Sequence, residues 1–389
     1  MTREKYLPYG HQKIDEDDIR SVSDALLGEF LTTGPLVKIF EEKLQKITNS
    51  NYSVACSSGT SALHLACKAI GLKEGDWVIV PTITFLATAN AVRYCGANVL
   101  FCDVDPETGL ITNESVKEAI QRAKENNLSL KAIIIVHLAG RFVDLKKIKE
   151  LAVNEKLKII ADSCHALGGV YEDRPIGQCY YEDLNTFSFH PVKTITTGEG
   201  GAVTTKSEEL SSIMATMRHH NMVKTDKKNN PWKYEMKMLG YNYRISDIQC
   251  ALGISQIKKL KSFVEKRSTI VSTYNKHIIK LFPLISRPRL SIDQNRAQHS
   301  WHLYTVLLNL GNCKLDRGTL MKKLSLKGIG TQVHYIPVHT QPYYENLYGP
   351  LNLPGANRYF ENTLSLPLFP KMKAKDVEYV VKEIGSLLL

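Results

Sequence analysis

Lys193 and Asp162 are the residues of this chain best suited to carry chemistry. Lys193 lies in Ser188-Phe189-His190-Pro191-Val192-Lys193-Thr194-Ile195-Thr196-Thr197-Gly198-Glu199-Gly200-Gly201, a loop between an apolar run and a glycine-rich turn. Asp162 ends a separate apolar run, Lys158-Ile159-Ile160-Ala161-Asp162. An aldehyde cofactor with a basic ring nitrogen needs such a pair. The amine forms a Schiff base, and the carboxylate keeps the ring nitrogen protonated so that the ring acts as an electron sink. The pair points to pyridoxal 5'-phosphate (PLP).

Other residues fit the same cofactor. Ser57-Ser58-Gly59-Thr60-Ser61-Ala62-Leu63-His64-Leu65-Ala66 is a hydroxyl and glycine cluster opening an apolar helix. Free amides at a helix start, with the helix dipole, make a phosphate cradle. Alone the segment reads as an ordinary Ser or Thr N-cap; beside Lys193 and Asp162 the cradle is favoured, with Gly59 and Thr60 in it. Ser188 can bind a phosphate oxygen, and Gly198, Gly200 and Gly201 permit a tight turn. His165 can lie against the cofactor ring or its 3-oxygen, or be a packed or capping histidine. Phe85 can stack on the ring, or be a core phenylalanine.

The elements that position these residues read as an α/β fold. Trp77–Val80, Asn98–Phe101, Ala132–Val136, Leu157–Ala161 and Thr186–Phe189 read as buried strands, with helical patterns such as Ser115–Asn126 and Leu145–Glu155 between them. This alternation predicts a mostly parallel sheet with helices on both faces. Ligands of such sheets bind beyond the carboxyl ends of the strands. Pro81-Thr82-Ile83-Thr84-Phe85, His137, Asp162 and the Ser188–Lys193 loop all occupy such ends. Ser246 to Lys280 reads as one or two helices linking to a second unit. That unit has a segment at Leu303–Leu308, a helix around Leu315–Lys327, a strand at Thr331–Tyr335 and a closing helix at Asp376–Leu388.

The 389 residues exceed one comfortable core, so two domains are expected. No apolar run approaches the length of a membrane span, and Met1-Thr2-Arg3-Glu4-Lys5-Tyr6 lacks the apolar core of a signal peptide. Cytoplasmic residence is the default expectation. The eight cysteines and twelve histidines show no metal-ligand spacing, so no metal is expected. The net charge of +11 fits a nucleic-acid partner or an anionic cofactor and substrate. The densest basic stretch, Lys224 to Lys237, reads as a solvated loop or a wall of an anionic small-molecule site. It carries no nucleic-acid motif.

Together these segments resemble the DegT/DnrJ/EryC1/StrS family of PLP-dependent sugar aminotransferases. The likeness runs through Gly59-Thr60-Ser61-Ala62-Leu63, Pro81–Phe85, Asp162 and His165, Ser188–Gly201, Gly240-Tyr241-Asn242-Tyr243-Arg244 and Gln332-Val333-His334-Tyr335. It implies PLP fold type I: a large domain with a mostly parallel seven-stranded sheet and a smaller C-terminal α/β domain, divided as 1–250 and 251–389. It also implies a homodimer with active sites at the subunit interface, where Asn242 reaches the phosphate of the neighbouring site. By the same resemblance Tyr9, Leu31, Thr32, Thr33, Gly34, His334 and Tyr335 line the sugar-nucleotide pocket. The basic 224–237 loop would then lie near the substrate diphosphate.

Within the family, Asp162–Gly168, Ser188–Lys193 and Thr331–Pro337 resemble the aminotransferase branch of pseudaminic acid biosynthesis. The implied reaction moves an amino group from L-glutamate to C4 of a UDP-linked 4-keto-6-deoxy-N-acetylhexosamine. Bacillosamine, perosamine and legionaminic-type substrates are the alternatives. Many relatives carry glutamine where His165 stands. Asn221 occupies a turn position that is often glycine, and asparagine tolerates left-handed backbone angles. A sugar dehydratase of the family would carry histidine in place of Lys193. A non-catalytic PLP-binding regulator is the rival from another class; a visible band that shifts with glutamate separates it from the enzyme.

Overall fold

The apolar runs become the centre of one sheet. The computed structural model describes residues 6–226, 228–292 and 295–388. Its main strands are β1 (Tyr52–Cys56), β2 (Asp76–Pro81), β3 (Asn98–Cys102), β4 (Ser129–Val136), β5 (Lys158–Asp162), β6 (Leu184–Ser188) and β7 (Gly201–Thr205). They form a seven-stranded sheet in the order β1-β7-β6-β5-β4-β2-β3. Neighbours from β6 to β3 pair in parallel; β7 runs against both β6 and β1. Ile133, Ile134, Ile135, Ile160 and Ala161 are fully buried, as continuous apolar strands covered on both faces must be.

The helices that flank the site are α1 (Glu16–Leu27), α2 (Pro35–Thr48), α3 (Gly59–Ala69) and α4 (Leu86–Tyr94). Ser58 starts α3: its extended backbone and side chain, which accepts from the Ser61 amide, cap the helix. The helical stretch expected from Ser246 to Lys280 resolves into α5 (Asp247–Ile257) and α6 (Leu260–Ile278).

A second sheet of β8 (Ile285–Ser286), β9 (Tyr304–Leu308) and β10 (Thr363–Leu366) is antiparallel throughout. It packs with the helices Arg317–Leu326 and Ala374–Leu388 around Val306, Leu320, Leu364 and Val380. Helix α6 spans both cores: Phe263 and Val264 belong to the large one, Ile270, Val271 and Tyr274 to the small one. Two exchanges cross the expected division at residue 250. Leu7 bonds to the strand-like segment at Gly328–Gly330 and packs in the small core, while Tyr344 and Tyr359 pack in the large one.

Several sequence expectations change in detail. β1 and β7 lie outside the anticipated strand runs. Thr331–Tyr335 is not a strand but makes a single bridge, Gln332 to Ser365. The side chain of Gln332 takes the Val333 amide (2.9 Å), which removes a donor from any ladder. The basic stretch forms an exposed hairpin, Met222–Lys224 paired with Tyr234–Met236; its Lys227 lies outside the described residues, as do Met1–Lys5. Asn221 adopts a left-handed conformation (φ 54°), as the asparagine reading allows. No helix among the described residues is long and apolar enough to cross a membrane.

Candidate active site

A cavity of about 620 Å³ opens beyond the carboxyl ends of β2, β4, β5 and β6. Gly59, Thr60, Phe85, Asp162, His165, Ser188 and Lys193 all line it, together with Tyr9, His334 and Tyr335. One strand-end residue is absent. His137 is fully buried, with its ring against Phe142 at 5.2 Å and neither ring nitrogen hydrogen-bonded. Side chains alternate along a strand: Val136 faces the cavity, so His137 points away from it.

Asp162 is buried at the end of β5 and held at both oxygens. The Thr88 hydroxyl donates to Oδ2 at 2.7 Å, and the Cys164 amide donates to Oδ1 at 3.1 Å. Thr88 in turn lies 2.7 Å from the Thr84 hydroxyl. The two donors fix the carboxylate in direction.

Lys193 stands opposite on the loop after β6. Its amide donates to the His190 carbonyl (2.9 Å), which holds the loop, but no hydrogen bond or salt bridge among the described residues ties down Nζ. Burial lowers the lysine below its ordinary pKa, opposed by the nearby Cys164 and Asp162. A lowered pKa enriches the unprotonated amine, the form that attacks a carbonyl.

The imidazoles beside it are kept neutral. Burial, then Lys193 and His334, hold His165 well below the usual histidine range. Burial and Lys193 hold His334 at about 3. Tyr335 is pushed up by burial and then by Asp162, so it remains a phenol. Phe85 is 56% exposed and 6.1 Å from the Tyr335 ring, a place at the cavity wall rather than in the core.

The residues fit a phosphorylated aldehyde cofactor. At the start of α3 the Ala62 amide is the first to bond back, to the Ser58 carbonyl, and the Ser61 amide is taken by Ser58 Oγ. The amides of Gly59 and Thr60 precede these and have no intrahelical acceptor. A Cβ on Gly59 would stand 2.8 Å from Ser188 Cβ, and one on Gly201 would stand 2.2 Å from the Ser58 carbonyl oxygen. The cradle therefore needs glycine at both positions. A free amine, a fixed carboxylate and an anion cradle share one cavity.

Two groups of expected residues lie elsewhere on this chain. Leu31, Thr32, Thr33 and Gly34 do not line the cavity; they are pinned to the start of α5, where Asp247 accepts from the Gly34 amide (2.7 Å) and the Leu36 amide (2.9 Å). Asn242 is exposed and bridges to His219. The sequence reading missed Thr88, Cys164 and His302. The i, i+4 pair Thr84 and Thr88 just after a strand end was the available signal for the first; His302 had none, because its ring reaches His165 (4.2 Å) from a distant loop.

The fold and the chemistry of the cavity define a PLP-dependent aminotransferase of fold type I. The chain belongs to the DegT/DnrJ/EryC1/StrS aminotransferase family, whose profile matches residues 12–385. It is similar to the UDP-4-amino-4,6-dideoxy-N-acetyl-beta-L-altrosamine transaminase of Campylobacter jejuni subsp. jejuni serotype O:2, at 38% identity over 98% of this chain and 97% of the relative. Helicobacter pylori PseC, an aminotransferase of pseudaminic acid biosynthesis, superimposes with a TM-score of 0.89 at 29% identity, covering 99% of each chain. Spr1654 of Streptococcus pneumoniae, solved in PLP and PMP forms, gives TM-scores of 0.89 and 0.90 at 28% identity, covering 98% of each chain. The protein is thus a PLP-dependent sugar aminotransferase.

Proposed function

We propose that this enzyme transfers the amino group of L-glutamate to C4 of a UDP-linked 4-keto-6-deoxy-N-acetylhexosamine, as a step toward pseudaminic acid. Lys193 and Asp162 facing one cavity beside an anion cradle is the observation that carries the catalytic half. The substrate half rests on similarity to the Campylobacter transaminase and to PseC.

Bound PLP supplies the electron sink through which an amino group and a proton are exchanged between amino acid and keto sugar. Lys193 would hold the cofactor, and its free amine would carry the proton to and from the amino acid Cα. Asp162 keeps a proton on the ring nitrogen, with Thr88 and the Cys164 amide fixing its orientation. Gly59, Thr60 and Ser188 would hold the phosphate, His165 would meet the ring or its 3-oxygen, Phe85 would stack on the ring, and Tyr9, His334 and Tyr335 would face the sugar.

The enzyme works as a cytoplasmic homodimer on this reading. Among the described residues, Lys193 is the single lysine lining the cavity and no arginine lines it. The cradle of Gly59, Thr60 and Ser188 carries no positive charge, so further cations for the cofactor phosphate and the nucleotide diphosphate would come from a second copy. Asn242, Leu31–Gly34 and the basic 224–237 hairpin, all set away from their own chain's cavity, would serve a second copy's site. Lys193 in place of histidine argues against the dehydratase chemistry of the family.

Mass spectrometry of products from a panel of UDP-, GDP- and TDP-keto sugars with glutamate tests the assignment. A 4-amino product from the UDP-linked N-acetyl sugar is expected. Amination of a GDP- or TDP-sugar alone would move the enzyme to the perosamine type or another branch.

A further inference from the structure

The ring of His165 is held at both nitrogens. Nδ1 lies 3.2 Å from the backbone N–H of Ala139, and Nε2 lies 3.4 Å from the Tyr335 hydroxyl oxygen. A backbone amide only donates, so Nδ1 must present a lone pair. An imidazolium would set N–H against N–H there, and the neutral tautomer protonated at Nδ1 would do the same. The remaining form carries its one proton on Nε2.

The amide that forces this choice is itself forced. Ala139 is buried with a left-handed backbone (φ 62°), followed by Gly140 at φ 80°. A non-glycine residue persists in that region when its surroundings over-determine it. Here the Ala139 carbonyl accepts from the Leu303 amide (3.3 Å) and the Gly140 carbonyl from the Ser300 amide (3.2 Å). The Ser300 hydroxyl donates to the His165 carbonyl at 2.8 Å, closing the loop onto the histidine's own backbone. A Cβ on Gly140 would stand 2.5 Å from that hydroxyl and 2.7 Å from the His165 carbonyl oxygen.

We infer that the left-handed Ala139–Gly140 turn is a tautomer lock, making His165 a permanent Nε2–H donor to the cavity, available to the phenolic oxygen of PLP. Tyr335 is then left as the acceptor of any hydrogen bond from His165, with its own hydroxyl proton free for substrate. Ala139 acts through His165 and is a positioning residue. The inference rests on the assignment of His165 to the cofactor made above, although the tautomer itself does not.

The test has two arms on the PLP-loaded enzyme. Nitrogen-15 histidine spectra, with the His165 signals assigned by their loss in His165→Gln, are expected to show a bare Nδ1 and a protonated Nε2 from pH 6 to 8.5. Of the groups facing this ring, burial keeps His302 and His334 neutral and Tyr335 a phenol across that range, and the charge state of Lys193 is expected to leave the pattern unaltered. A proton on Nδ1, or an imidazolium in this range, overturns the lock. In the second arm, the pH midpoint of the cofactor's visible band is expected to rise by about one unit in His165→Met, which lacks a donor, and by less in His165→Gln, which keeps one. Equal midpoints in all three overturn the donor role. Loss of the band in wild type would instead contradict the cofactor assignment, and the tautomer arm would still stand.

Discussion

Thr88 and Asp162 are joined by a 2.7 Å hydrogen bond in which the threonine hydroxyl is the donor. Because a carboxylate accepts only, the Thr88 proton is committed, and the Thr84 hydroxyl 2.7 Å away must donate to Thr88 in turn. The result is a buried chain of donors ending on the carboxylate proposed to support the cofactor ring. Thr88→Val keeps the shape and removes the donor. It is expected to weaken PLP binding by about tenfold, the worth of one hydrogen bond to a charged group, while Thr88→Ser retains most of the affinity. Fluorescence titration of the stripped enzyme with PLP measures this.

Gly59 tests the cradle. The Cβ of Gly59→Ala would press on Ser188, so overpacking is expected to cost about 1–3 kcal/mol of stability and to raise the PLP dissociation constant. Gly198→Ala, where a Cβ meets nothing within 4 Å but φ is +81°, separates backbone strain from blockage of the cradle. It should lower the melting temperature with a smaller effect on PLP affinity.

The buried imidazoles set the acid limit of the fold. Burial holds His137 at about 3 and His299 at about 4, both below the unfolded value of about 6.5. The unfolded chain therefore binds more protons as pH falls from about 6.5 toward 3–4, and stability declines through that window. Above it the penalty vanishes. His137→Leu, which removes a ring with no hydrogen bond at either nitrogen, is expected to flatten the fall of melting temperature between pH 6.5 and 4.5. An unchanged slope would show that His137 is not a source of the acid sensitivity.

Much of the candidate cavity lining was legible because its residues lie next to strong local signals. Asp162, Ser188 and Lys193 each follow an apolar run, and Gly59 stands at a capped helix start. What was not legible depends on facing and long-range packing. His137 follows a strand too, but the alternation of side chains turns it toward Phe142 and His299. Thr88 meets Asp162 across 74 residues of sequence. The Thr331–Tyr335 segment has the alternation of a strand, yet Gln332 bonds to the next amide and the chain carries His334 and Tyr335 to the cavity instead. In the fold, the five apolar runs located β2 to β6, whereas β1 and β7, with Tyr, Ser, Thr and Gly among their residues, gave a weaker signal.

Lys193→Ala tests the central claim most directly. The variant is expected to bind pyridoxamine phosphate yet lose at least about a thousandfold in turnover of glutamate with the keto sugar, within the range that a proton-transferring side chain supplies. It should also lose the glutamate-responsive visible band of the PLP form. Turnover at the wild-type rate in that variant would contradict the assignment of Lys193 as the catalytic amine.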